Sequence, residues 1–203
     1  MSDRETLSVY TEAAALYADG HADTRDIEQQ NDIAALLADV PEGGHILDLG
    51  CGPGQWAVQF RDLGYRVTAR DATPAMAELA LEKYGLKVEV QTFDAFDDIA
   101  RFHAIWANFS LLHAPKADFP GHLARLHRAL TPNGALHLGM KLGTGEARDS
   151  LGRFYSYYQE DELVQLVTEA GFTVTRTRRG NGEGLAGGVE TFVILTATAR
   201  TDG

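Results

Sequence analysis

Cysteine is almost missing from this chain: Cys51 is the single one in 203 residues, so neither an intrachain disulfide nor a thiolate zinc cage can form. A lone thiol fits a reducing compartment, and the cytoplasm is the expected address. Long apolar runs are missing too. None approaches the ~20 residues that a membrane helix needs. The opening Met-Ser-Asp-Arg-Glu-Thr lacks a basic segment followed by an apolar stretch, so neither export nor membrane insertion is expected. Positive charge is scarce, at 18 Lys and Arg against 29 Asp and Glu, a net −11 with neutral histidines. A polyphosphate backbone is repelled by such a balance, which disfavours nucleic acid as a partner. The one short basic cluster, Arg176, Arg178 and Arg179, reads as outward charges alternating along a strand. No metal is expected either, because His122 and His127 are five apart on a helical stretch and do not share a face.

What remains is 44% apolar and 9% aromatic, enough to build one buried core. A single domain over residues 1–203 is expected, with a helical cap over 1–40 and a core over 41–200. In the cap, Leu7, Tyr10, Ala14, Tyr17 and Ala18 keep helical spacing, and Ile27, Ile33, Leu36 and Leu37 repeat it. From His45 onward, short β-like runs alternate with amphipathic stretches. Strands are predicted at 45–49, 66–69, 87–91, 104–108, 135–141, 172–177 and 189–198, and helices at 56–63, 74–84, 119–130 and 160–170. Such alternation requires a mostly parallel sheet with helices on both faces. The last two strands are joined by a Gly-rich link, Gly180 to Gly188, with no helix, so the final strand is expected to run antiparallel.

The first strand closes on three glycines, Leu47-Asp48-Leu49-Gly50-Cys51-Gly52-Pro53-Gly54, just before a helix. Glycines at this turn let a ligand approach bare backbone. A dinucleotide fingerprint, Gly-x-Gly-x-x-Gly, would need a third glycine where Gln55 stands. A tight connection without a ligand is the plainer alternative, but it leaves the acidic Asp48 unexplained.

This segment resembles the first motif of the class I S-adenosylmethionine-dependent methyltransferases, and further matches follow in order. The resemblance implies a Rossmann-like α/β fold of seven strands, with S-adenosyl-L-methionine as cofactor and S-adenosyl-L-homocysteine as product. It implies that the loop backbone at Gly50, Cys51 and Gly52, with Asp48 beneath, wraps the amino-acid end of the cofactor. Asp71, ending the second strand, would accept from both ribose hydroxyls; its competing role is a helix N-terminal charge before Pro74. Ala72 and Met76 would line the adenosine. Asp94-Ala95-Phe96 matches the segment that meets the adenine, although Asp94 also reads as a solvated loop residue.

The run Ala104 to His113 looks like the motif after the fourth strand in a bacterial subgroup of small-molecule and tellurite-resistance-like methyltransferases, but Phe102-His103 stands where that subgroup commonly has Phe-Asp. Trp106 reads as core. Asn108 and Phe109, at the carboxyl end of that strand near the topological switch, should face the methionine moiety. Lys141 to Arg153 reads as a lid at the mouth of the site or as a solvated connector. His113 and Lys141 are the candidate catalytic residues. His113 is either a general base, by its unperturbed pKa of about 6.5, or a residue that fixes a loop. Tyr10 and Tyr17 either close over the cofactor or simply pack.

Methyl transfer is an in-line displacement on a sulfonium methyl, so positioning can supply most of the acceleration. The expected partner is a small-molecule acceptor, with the protein a monomer or homodimer. The rival readings are a nicotinamide-dependent oxidoreductase, which the Gly50-x-Gly52-x-Gly54 spacing disfavours, and a non-catalytic cofactor-binding protein of the same fold.

Overall fold

The computed structural model describes residues 3–12, 14 and 26–200. Two helices, α1 (Arg4–Glu12) and α2 (Ile27–Leu37), precede β1 (His45–Leu49), α3 (Gln55–Asp62), β2 (Arg66–Asp71), α4 (Pro74–Tyr84) and β3 (Val88–Val90). Then come β4 (Phe102–Asn108), α5 (Phe119–Ala129), β5 (Leu130–Lys141), β6 (Glu146–Arg148), β7 (Phe154–Ser156), α6 (Glu160–Glu169), β8 (Phe172–Glu183) and β9 (Val189–Ala199). Two 3₁₀ turns, Phe93–Ala95 and Leu111–His113, follow β3 and β4.

Seven strands form one sheet in the order β3-β2-β1-β4-β5-β9-β8. The pairs among β1 to β5 are parallel, and β9 runs antiparallel to both of its neighbours, as its helix-free connection implied. The chain moves outward from β1 to β3 and then returns to β4 on the other side of β1. That reversal opens a crevice at the carboxyl ends of β1 and β4.

Alternating residues of the central strands feed two cores. Leu47, Leu49, Ile105 and Ala107 face the layer built by α5 and α6, while Ile46, Ala104 and Trp106 face Ile33 and Leu36 of α2 and Trp56 and Phe60 of α3. Trp106 is core, at 1% exposure. Helix α4 starts with Pro74 in its first turn and stops at Gly85 in the left-handed conformation, where the released N–H groups bond back to Ala80 and Leu81.

The structure departs from the sequence reading in three places. The Gly180–Gly188 link is mostly strand: β8 runs on to Glu183 and pairs Gly180 with Phe192 and Glu183 with Val189. Its glycines serve packing, since a Cβ on Gly180 would lie 2.4 Å from Cζ of Phe192. The 141–153 connector contains β6, which pairs with β7 as a small second sheet. Two of the three arginines of β8 are not solvated outward charges: Arg176 and Arg178 both ion-pair with Asp32 of α2, itself 1% exposed, while Arg179 is exposed on the other face as expected and pairs with Glu160. Asp32 is thereby held below the usual carboxylate range despite its burial, which clamps α2 to the sheet.

Candidate functional site

The glycine loop is pinned to the neighbouring strand by its own backbone. Gly50 and Cys51 both donate N–H to the carbonyl of Arg70, at 2.8 and 2.9 Å. Gly50 has φ +70°, and a Cβ there would come 2.3 Å from Cβ of Ser110, so a side chain is excluded on both counts. Asp71, the last residue of β2, closes the loop: Oδ2 accepts from Gly52 N at 2.9 Å and Oδ1 from Thr73 N at 2.8 Å. Burial raises its pKa and the backbone donors oppose that rise. Beneath the loop, Asp48 is 2% exposed. Burial pushes its carboxyl up to about 8 against a hydrogen bond from the Ala57 backbone, so the protonated form predominates at neutral pH. Cys51 is buried and its thiol is pushed up by burial, so it contributes backbone rather than a nucleophile.

Above the loop lies an open cleft. Its lining includes Gly50, Gly52, Asp71, Ala72, Thr73 and Met76 from β1, β2 and α4 with their loops, and Phe93, Asn108, Phe109, Ser110 and His113 from the segments after β3 and β4. Asp3, Thr6, Leu7 and Tyr10 of the amino-terminal segment cover it. Nine residues picked from the sequence thus meet here: Tyr10, Gly50, Gly52, Asp71, Ala72, Met76, Asn108, Phe109 and His113.

The others lie elsewhere. Asp94 and Ala95 are exposed on the 3₁₀ turn and do not line the cleft. Phe96 is 1% exposed in the core, with the Arg70 guanidinium 5.3 Å from its ring centre. The turn that buries Phe96 presents Phe93 to the cleft instead, an aromatic whose only sequence signal was its place beside Asp94. Lys141 lies outside the cleft lining, ion-paired with Glu190 at 2.5 Å and set over the Tyr155 ring at 3.7 Å. Tyr17 lies outside the described residues. Asp3, Thr6 and Leu7 were missed as site residues, although with Tyr10 they keep the i, i+3, i+4, i+7 spacing of one helix face.

This covering segment is held by a polar network. Nδ1 of His113 lies 2.6 Å from the Phe154 carbonyl and Nε2 lies 2.9 Å from the Tyr10 hydroxyl. A carbonyl only accepts, so Nδ1 carries the proton and Nε2 accepts from Tyr10. Burial lowers His113 to about 4, and it is neutral at physiological pH. Arg153 donates to the Tyr10 oxygen at 3.2 Å and pairs with Asp149 at 2.7 Å. Phe154 N donates to Thr6 Oγ1 at 2.8 Å, and Arg148 bonds both oxygens of Asp3 at 3.0 and 2.8 Å. That hydrogen bond with Arg148 holds the Asp3 carboxyl well below the usual carboxylate range.

Asp94, Asp118 and His122 bring one ligand atom each within 4.8 Å of one another, a grouping that helical spacing alone had not revealed. It amounts to two exposed carboxylates and one imidazole, a partial donor set.

Strand order, the reversal at β1 and β4, and a glycine loop facing an acidic strand end give the chain the Rossmann-like fold of the class I S-adenosylmethionine-dependent methyltransferases. Residues 46–134 match the methyltransferase domain family. Malonyl-[acyl-carrier protein] O-methyltransferase of Pseudescherichia vulneris is 30% identical over 143 residues, covering 67% of this chain and 53% of that protein. The chain spans about half the length of the curated relatives it matches. The Burkholderia thailandensis 1,6-didemethyltoxoflavin-N1-methyltransferase, solved with 1,6-didemethyltoxoflavin and S-adenosylhomocysteine, superimposes with a TM-score of 0.74 at 26% identity, over 99% of this chain and 92% of that one. The [4+2]-cyclase SpnF, at 19% identity, TM-score 0.69 and coverage of 96% and 94%, shares the fold alone.

Proposed function

We propose that the cleft binds S-adenosyl-L-methionine and that the protein transfers its methyl group to a small-molecule acceptor, releasing S-adenosyl-L-homocysteine. The observation that carries this reading is Asp71: a carboxylate fixed by two backbone donors, at a strand end, facing the cleft beside the bare backbone of Gly50 and Gly52. An acceptor-only group suits a pair of vicinal hydroxyls. The cofactor supplies a methyl on a sulfonium cation. Asp3 and Asp71 give the cleft lining a negative character that suits a cation.

In this reading Ala72 and Met76 pack against the adenosine, Phe93 gives the base an aromatic wall, and Asp94 with Ala95 guards its rim. Asn108 and Phe109 meet the methionine end. At the acceptor end Tyr10 and His113 are the groups able to handle a proton, and His113 acts only through Tyr10 or after releasing it, because both of its nitrogens are engaged. Lys141, held by Glu190 and set over Tyr155, lies outside the lining and does not reach the reacting atoms. A small acceptor is supported by the net charge of −11, which disfavours nucleic acid. No helix among the described residues is long and apolar enough to cross a membrane. With the single buried thiol, that supports a cytoplasmic setting.

Thermal unfolding with three ligands tests the reading. S-adenosyl-L-methionine and S-adenosyl-L-homocysteine should each raise the midpoint, with about 2.7 kcal/mol of stabilisation at a hundredfold excess over Kd. NAD should leave it unmoved, and a shift with NAD alone would overturn the assignment.

A further inference from the structure

We propose that His137 is a positioning residue of the cleft: it orients the Asn108 carboxamide so that the NH₂ group, and not the carbonyl, meets the methionine carboxylate of the bound cofactor. This rests on the cofactor reading above. Asn108 ends β4 and lines the cleft, and His137 lies on the adjacent strand β5, paired with Trp106 in the sheet register. The imidazole is fully buried and stacked on the Trp106 indole at 3.6 Å with 16° between the planes, which fixes the ring. Its Nε2 lies 3.0 Å from Oδ1 of Asn108.

The polarity of that contact follows from the other nitrogen. Nδ1 of His137 is buried with no hydrogen-bond partner. If Nε2 carries the proton, Nδ1 is left as a bare lone pair; if Nδ1 carries it, a buried N–H is orphaned. Orphaned buried N–H groups are the rarer case, so Nε2–H donates to Oδ1. A doubly protonated ring is excluded because burial lowers His137 to about 3. With Oδ1 engaged, the donor end of the carboxamide is what remains for the cleft. A donor matches a carboxylate and rejects an ammonium group.

The neighbourhood leaves little freedom. Oδ1 lies where no side chain at 139 could coexist with it, since a Cβ on Gly139 would stand 2.8 Å away and 3.1 Å from Phe109 N. Phe109 takes φ +54° and donates its N–H to the Gly139 carbonyl at 3.1 Å, so the strand end is anchored on both sides of the carboxamide.

Calorimetric titration of S-adenosyl-L-homocysteine tests the assignment in His137→Phe, His137→Gln, Asn108→Ala and the double variant His137→Phe/Asn108→Ala. His137→Phe keeps the stacked shape and loses the donor, and should weaken binding about tenfold. His137→Gln restores an N–H donor and should bind within about threefold of the parent. The double variant should bind as Asn108→Ala does, because His137 acts only through Asn108. Parent-like binding by His137→Phe, or an equal loss in both backgrounds, would overturn the proposal. Nitrogen NMR of the unaltered protein gives a second reading that needs no variant. Protonated Nε2 and bare Nδ1 at pH 5 to 8 support it, and an Nδ1–H tautomer refutes it. Absence of any binding by the parent would instead sink the cofactor reading beneath it.

Discussion

The two sides of the cleft are built on different principles. The side formed by β1, β2 and their loops is local: Gly50, Gly52 and Asp71 come from a strand-turn-helix unit and the next strand, tied by backbone hydrogen bonds. The side formed by α1 and the β6–β7 sheet is assembled from side chains far apart in the chain. Tyr10 meets His113 across 103 positions and Arg148 meets Asp3 across 145. A backbone-built wall keeps its shape whatever sequence surrounds it, whereas a side-chain-built one depends on each partner. The matched family segment, residues 46–134, stops before the β6–β7 sheet and leaves out α1.

This contrast predicts that substitutions on the first side chiefly damage binding and those on the second damage stability. The largest effect is expected from Asp71→Ala, which should weaken S-adenosyl-L-homocysteine binding about a hundredfold by calorimetry, at ~1.5 kcal/mol or more for each charge-assisted bond lost. Its unfolding midpoint should fall as well, because the Gly52 and Thr73 N–H groups lose their acceptor, and unchanged affinity would remove Asp71 from the site.

Asp48→Asn probes the ground under the loop. The folded pKa of Asp48 stands at about 8, above its unfolded value, so its stabilising share is complete below pH 4 and fades as pH rises through 8. The asparagine variant should gain stability over the parent progressively as pH rises from 4 to 8 in urea unfolding and gain nothing at pH 4. A pH-independent difference would show that the buried carboxyl is not the cause.

On the other side, Tyr10→Phe strands the Nε2 acceptor of His113 and the Nη1 donor of Arg153. A loss of about 1–2 kcal/mol in denaturant unfolding is expected, with cofactor affinity within about threefold of the parent. Reversal of that pattern would break the comparison. Lys141→Met should do least, leaving both quantities within about 1 kcal/mol, because Glu190, at 31% exposure, can turn to water and the methionine keeps an apolar contact with the Tyr155 ring. A collapse of turnover with intact folding would restore Lys141 to the chemistry.

How far the sequence could be read follows the same divide. The alternation of β-like and helical runs revealed the seven-stranded sheet and its antiparallel last strand, because each strand carries its own period. Gly50, Gly52 and Asp71 were legible because a positive-φ turn and a strand-end carboxylate have local signatures. Phe93 and Phe96 were confused because a 3₁₀ turn decides which of two nearby aromatics is buried, and periodicity is blind to it. Lys141 looked free until Glu190 came beside it from β9. The Arg176–Asp32–Arg178 cluster was hidden because α2 and β8 are far apart in sequence.

The most direct test of the central claim is a crystal structure of this protein grown with S-adenosyl-L-homocysteine. The account predicts the ribose hydroxyls on Asp71, the amino-acid end over the Gly50–Gly52 backbone, and the carboxylate within hydrogen-bonding reach of Asn108. Density for the ligand anywhere else, or a cleft that stays empty at saturating concentration, would contradict it.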